Sequence, residues 1–123
     1  MEILMEFFIL DKLKEEKNMS ETMSHKRAKS KAAGKSGQTE VPIKGNRRVD
    51  AMTPKRATEV ERSGSSSGLV KAARRLRDSG KAQKVLQVPQ KDMGKASDAM
   101  KKVNISGTVK NIKGSKSRHI KKK

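Results

Sequence analysis

Four carboxylates, Glu40, Asp50, Glu59 and Glu61, fall between positions 40 and 61 of a chain whose net charge is +18. Only three further acids follow Met23, so this one stretch holds most of the negative charge outside the N-terminal segment. Carboxylates gathered in so basic a protein need a reason, and holding a divalent cation beside a polyanion is one. Magnesium is a hard ion that takes one or two carboxylates and completes its shell with water and substrate phosphate. Manganese suits the same oxygen donors. An ion held in this way can activate water and stabilise the leaving oxygen of a phosphodiester. Asp50, Glu59 and Glu61 are the candidate metal and catalytic residues, and Glu40 is an optional fourth acid. Arg47, Arg48, Arg56 and Arg62 surround them in sequence and are candidates to hold a nucleic-acid backbone, as are Lys71, Arg74 and Arg75 further on. The competing structural reading is that the carboxylates pair with these arginines across a hairpin, each pair being worth up to about 1 kcal/mol.

The elements that must position these residues follow from periodicity. Glu40 to Ile43 reads as a short strand, with Pro42 assigning it to a sheet edge. Lys44-Gly45-Asn46 is a turn cluster, Arg47 to Thr53 returns as a second strand, and Pro54-Lys55 turns the chain into a third, Arg56 to Arg62. Strand alternation puts Val49 and Ala51 on one side and Arg48 and Asp50 on the other, while Glu59 and Glu61 share a face and Val60 points to the core. After the serine/glycine loop Ser63 to Gly68 the period changes. Leu69, Ala72, Ala73 and Leu76 follow helical spacing, with Ser67 as the expected N-cap and Gly80 as the stop. Gln83 to Val88 is a strand closed by Pro89, Met93, Ala96, Met100 and Val103 mark a second helix, and Ile105 to Ile112 supplies a last strand. The expected fold is α/β: a small mixed sheet, three N-terminal strands as hairpins and then helix, strand, helix, strand, between basic disordered tails.

The domain organisation reads as four parts. Residues 1–21 are apolar and acidic, with six acids against three lysines, a local charge of −3 that leaves +21 on the rest of the chain. This segment is too short and too interrupted for a membrane span, and it lacks the positive start of a signal peptide. It reads either as a docking helix or as sequence upstream of a misplaced start, Met19 and Met23 being alternative starts. Residues 22–38 carry Lys26, Arg27, Lys29, Lys31 and Lys35 with little apolar surface, and are expected to be a flexible basic arm. Residues 39–112 form the α/β core, and 113–123 a second basic tail. Gly34-Lys35-Ser36 resembles the end of a phosphate-binding loop, but Lys29 stands where that loop needs a glycine.

Composition selects the partner. A field of +21 favours phosphate-rich molecules, because neutralised phosphates release condensed counterions. Nucleic acid is the expected partner and a membrane is not, since the basic segments lack an apolar face rich in Leu, Phe or Trp. The expected location is cytoplasmic. Phe7 and Phe8 are the only aromatics, so base-stacking platforms are excluded and binding must run through phosphates. Absence of cysteine excludes thiol catalysis and zinc-thiolate sites. His25 and His119 lie in basic segments and read as solvated side chains. The core has no aromatic residue and is thin, so a homodimer or bound nucleic acid would supplement its stability.

Asp50 near the end of one strand, Glu59-Val60-Glu61 on the next, then helix, strand and helix, resembles the restriction-endonuclease-like nucleases, including the archaeal Holliday-junction resolvases. The resemblance covers roughly residues 38–112. It implies that Asp50 and Glu59 hold Mg²⁺ or Mn²⁺ on a β-hairpin and that the substrate is DNA rather than RNA. The family's lysine, two residues after the Glu, is replaced here by Glu61, so a polar group would have to come from Lys71, Lys84 or Gln87. The family's helix before the first strand is not evident in the sequence. Two function classes follow: a metal-dependent DNA endonuclease, and a non-catalytic basic DNA- or RNA-binding or ribosome-associated protein. A basic adaptor for a protein partner is a third.

Overall fold

A computed structural model describes residues 23–122. The expectations for residues 1–21 lie outside the described residues. The elements are α1 (Met23–Ala33), β1 (Gln38–Ile43), β2 (Arg47–Met52), β3 (Arg56–Val60), α2 (Ser66–Asp78), β4 (Gln83–Val88), a 3₁₀ turn (Gln90–Asp92), α3 (Met93–Val103), β5 (Gly107–Asn111) and β6 (Ser117–Ile120). The strands form one six-stranded mixed sheet in sequential order from β1 to β6. Pairing is antiparallel from β1 to β3, parallel through β3, β4 and β5, and antiparallel again between β5 and β6. The protein is therefore an α/β fold in which α2 and α3 are the crossovers that parallel neighbours require. Among the described residues, no helix is long and apolar enough to cross a membrane.

The main core lies between the sheet and the α2–α3 pair. Leu69 and Leu76 from α2, Met100 from α3, and Leu86, Val88 and Val109 from the central strands are fully removed from water. Ser65 caps α2, its Oγ accepting from the Gly68 amide at 3.1 Å, and Gly80 follows the helix at φ +71°. The cap lies two positions before the expected Ser67. Gly107 is required by close approach: a Cβ there would sit 2.4 Å from the Lys84 carbonyl oxygen and 2.7 Å from Met100 Cε.

Two expectations are corrected. Residues 23–33 are not a flexible arm but a helix laid on the sheet face opposite α2 and α3, against β2 and β3. Its contact face is made of alanines, with Ala28 and Ala33 buried, so no long apolar side chain announces it in the sequence. Alanine, lysine and arginine are nonetheless strong helix formers. Gly34, at φ +60° with its amide on the Ser30 carbonyl, ends the helix. A helix that the sequence did not reveal thus precedes the first strand. Lys29, counted among the arm's basic residues, is buried and bonded to Glu40. The C-terminal segment is also not wholly a tail: residues 117–120 add β6 to the sheet edge, and Ile120 joins the core.

Because α1 is docked on the sheet, Ala28→Asp buries a carboxylate and lowers unfolding free energy by at least about 2 kcal/mol. The exposed Ser30→Asp changes it by no more than about 0.5 kcal/mol. Urea denaturation of the two variants checks this, and equal small effects would restore the flexible arm.

Candidate functional site

Asp50 sits where the sheet loses its regular pairing. The β1–β2 register pairs Thr39 with Ala51 and Val41 with Val49 but omits the rung between Glu40 and Asp50, and Glu40 has a positive φ of 53°. On the other side, β2 and β3 pair at Ala51–Thr58 and Met52–Ala57, and the ladder goes no further. Val49 and Met52, three residues apart, both pack on the same hydrophobic cluster. Uninterrupted alternation would send them to opposite faces, so β2 changes face across Asp50.

Carboxylates take over the missing rung. The Asp50 amide donates to Glu59 Oε1 at 3.0 Å, and the Val60 amide donates to Asp50 Oδ2 at 2.7 Å. Each side chain thus satisfies a main-chain group that regular pairing would have satisfied. A bond to a charged carboxylate contributes about 1.5–3 kcal/mol and one to a neutral carboxyl about 0.5–1.5 kcal/mol. Arg75 of α2 reaches the junction from one side, its Nη1 donating to Glu59 Oε2 at 3.3 Å. His25 of α1 reaches it from the other, with Nε2 3.6 Å from Asp50 Oδ2. The pair therefore lies between the two helical layers.

Glu59 is 2% exposed, an extent of burial the strand pattern did not foretell. The reason is that β3 is a central strand covered by α1 on one face and α2 on the other. Burial pushes its carboxyl up to about 8, and the neighbouring charge of Asp50 adds to the rise. The bonds from the Asp50 amide and Arg75 oppose the shift without cancelling it. At neutral pH the pair accordingly retains a proton.

The other predicted residues are distributed differently. Glu61 does not join the pair: its Oε1 accepts from the Ser63 amide at 3.0 Å, and it braces the loop leading into α2. Among the described residues, no group of three or more acidic, histidine or cysteine side chains is arranged to hold a metal. The expected three-carboxylate site is thus reduced to Asp50 and Glu59. Glu40 is engaged by Lys29. Arg47 bonds Asp78 at 2.7 Å, and Arg77 together with Arg47 holds that carboxyl down to about 2. Arg47 and Arg75 are thus ion-pair partners within the protein, but Arg47 through Asp78 and Arg75 from helix α2, rather than across the hairpin as the competing reading had it. Arg62 is exposed and donates to Ser24 Oγ, while Arg48, Lys71 and Arg74 are exposed on the surface. Arg56 is exposed and bonds Gln83 at 3.1 Å. Of the alternative polar groups, Lys84 donates to the Lys81 carbonyl and Gln87 donates to the carbonyls of Asn111 and Ile112. Sequence reasoning missed His25 and singled out Arg75 only as a phosphate ligand. The placement of His25 depends on a helix that the sequence did not announce.

Compared with known family models, curated proteins and solved structures, the chain matches none.

The Glu59 carboxyl makes a signed prediction. Its folded value lies above its ordinary one of 4.5, so the folded state holds an extra proton between pH 4.5 and about 8. The stability it contributes is complete below that window and is lost as pH rises through it, at up to about 1.4 kcal/mol per pH unit. Glu59→Gln, an isostere of the protonated acid, removes this loss. Its unfolding free energy relative to wild type should improve by roughly 2–4 kcal/mol between pH 5 and pH 9. Denaturant titrations across that range check it, and parallel pH curves would refute it.

Proposed function

We propose that the protein binds nucleic acid, DNA in preference to RNA, and that Asp50 and Glu59 form a divalent-cation seat of the restriction-endonuclease-like kind. The observation that supports this reading is the meeting of the two carboxylates across β2 and β3 in a chain of net charge +18. The surrounding order also agrees with the resemblance: a helix, a three-stranded antiparallel unit, then helix, strand, helix and strand.

The donor set fits magnesium or manganese. Both carboxylates offer hard oxygens, and a magnesium site commonly uses only one or two protein carboxylates. Burial beside Asp50 leaves Glu59 protonated at neutral pH, so the junction lacks the positive charge that would keep both groups ionised. Arg75 supplies part of that charge and competes with any bound cation for Glu59. Cation binding must also release the Glu59 proton, which makes it stronger as pH rises.

A second reading, a metal-dependent DNA endonuclease, draws on the same meeting of Asp50 and Glu59. A bound magnesium ion supplies activation of water and stabilisation of the leaving oxygen. The chain's own residues favour binding over cleavage, because Glu61 occupies the family's lysine position and is bonded into the α2 loop.

One set of assays separates the readings. Affinity for duplex DNA should fall with salt, at a slope of about −0.9 per neutralised phosphate. Magnesium should raise the thermal midpoint by about 4–8 °C for each kcal/mol of binding, more at pH 9 than at pH 6, and should leave Asp50→Asn unmoved. Magnesium with no effect on wild type at either pH would remove the cation seat. Incubation of branched, duplex and single-stranded DNA with Mg²⁺ or Mn²⁺ tests the second reading. Cleavage that Asp50→Asn and Glu59→Gln reduce by about 100-fold or more supports it, and intact substrates reject it.

A further inference from the structure

The sheet face that α1 leaves uncovered carries a second cationic feature, separate from the carboxylate junction. Two adjoining hollows, 330 and 160 Å³, run along this face and share Arg56 and Val85 in their walls. Together they make one trough. Its floor is Thr58 of β3, Val85 and Gln87 of β4, and Thr108 of β5. One wall is the C-terminal half of α1, at Ala28, Lys31 and Ala32, and the far side is β6, where His119 lies opposite Thr108. Lys31, Arg56, Lys110, Lys113 and His119 line it, and among the described residues neither hollow has a carboxylate in its lining. Asp50, Glu59 and Glu61 are absent from both.

The fold explains why these groups share one face. Strand alternation sends Thr108 and Lys110 away from the core that receives Val109, and the β5–β6 register places His119 and Ser117 beside them. On β6 the intervening Arg118 turns the other way and reaches Ser97 of α3. Arg56 follows the same alternation with Thr58 on β3.

Resting on the nucleic-acid reading above, we propose that this trough binds the phosphate backbone of a single nucleic-acid strand. Dimensions and chemistry both favour that occupant. Three strands spaced about 4.8 Å apart give a floor about 10 Å across, enough for one backbone between walls and too narrow for a duplex to enter. The six residues of β4 run about 20 Å, long enough for several consecutive phosphates of one strand beside the lysine and arginine side chains of the lining. The floor has β-branched and amide side chains and no aromatic, so bases are not stacked and sequence is not read. The phosphates are the recognised group.

The test is fluorescence anisotropy of a labelled single-stranded oligonucleotide and its duplex, with the full chain and two charge-matched variants. The first variant is Lys31→Glu, Lys110→Glu, Lys113→Glu. The second changes Lys91, Lys101 and Lys102, exposed on the opposite side, to Glu. The first should lose about 30-fold or more in single-strand affinity and about 2 units of salt slope, at roughly 0.7 per phosphate contact. The second should lose several-fold less and keep the slope. Equal losses in the two variants, or tighter binding of duplex than of single strand by wild type, overturn the trough and leave the general reading standing. A wild-type chain that binds neither form overturns that reading itself. Acetylation footprinting of the unaltered protein is independent of variant folding: the oligonucleotide should protect Lys31, Lys110 and Lys113, and unchanged labelling there would also overturn the proposal.

Discussion

The exchange of main-chain and carboxylate hydrogen bonds between Asp50 and Glu59 is the constraint on which the candidate site depends. β2 must change face at Asp50, and that change leaves amides that regular pairing no longer satisfies. The two side chains satisfy them, at 3.0 and 2.7 Å, and in doing so are drawn together in a place where burial penalises their charge. Unpaired buried main-chain groups are costly, so the carboxylates cannot simply be replaced by apolar residues. The same geometry that closes the sheet creates an electrostatic deficit, which Arg75 reduces and a divalent cation would remove.

Charge in this protein is divided among separate tasks. Arg47 and Arg75 serve internal ion pairs, and Lys29 is buried beside Glu40. Among the described residues, the cations of the open sheet face have no acidic neighbour in the trough they line. A count of basic residues in the sequence merges these groups, whereas the fold separates those that hold the protein together from those that line the open sheet face. The thin core noted in the sequence is correspondingly asymmetric: leucine, valine and methionine fill the α2–α3 side, and small alanines mediate the α1 side.

The sequence was legible where one periodicity or one turn residue decides structure. The strands around Lys44-Gly45-Asn46 and Pro54-Lys55, the helices over Leu69–Leu76 and Met93–Val103, and Pro42 on an edge strand all follow from local pattern. The meeting of Asp50 and Glu59 was also expected from their adjacent strands. The helix α1 was hidden because its packing face consists of alanine, which gives little hydrophobic contrast with lysine-rich surroundings. The separation of Glu61 was hidden because β3 ends at Val60, so alternation no longer governs the next residue. The trough was hidden because Lys31, Arg56 and Lys110 come from distant parts of the chain and meet only across the sheet.

The most direct test of the account is the titration of the Glu59 side chain in the folded protein, followed by ¹³C NMR of labelled glutamate, with and without magnesium. The account predicts a metal-free midpoint near 8 and a clear fall on adding magnesium. A midpoint at the ordinary value of 4.5, unmoved by the ion, would contradict both the buried carboxylate pair and the cation seat built on it.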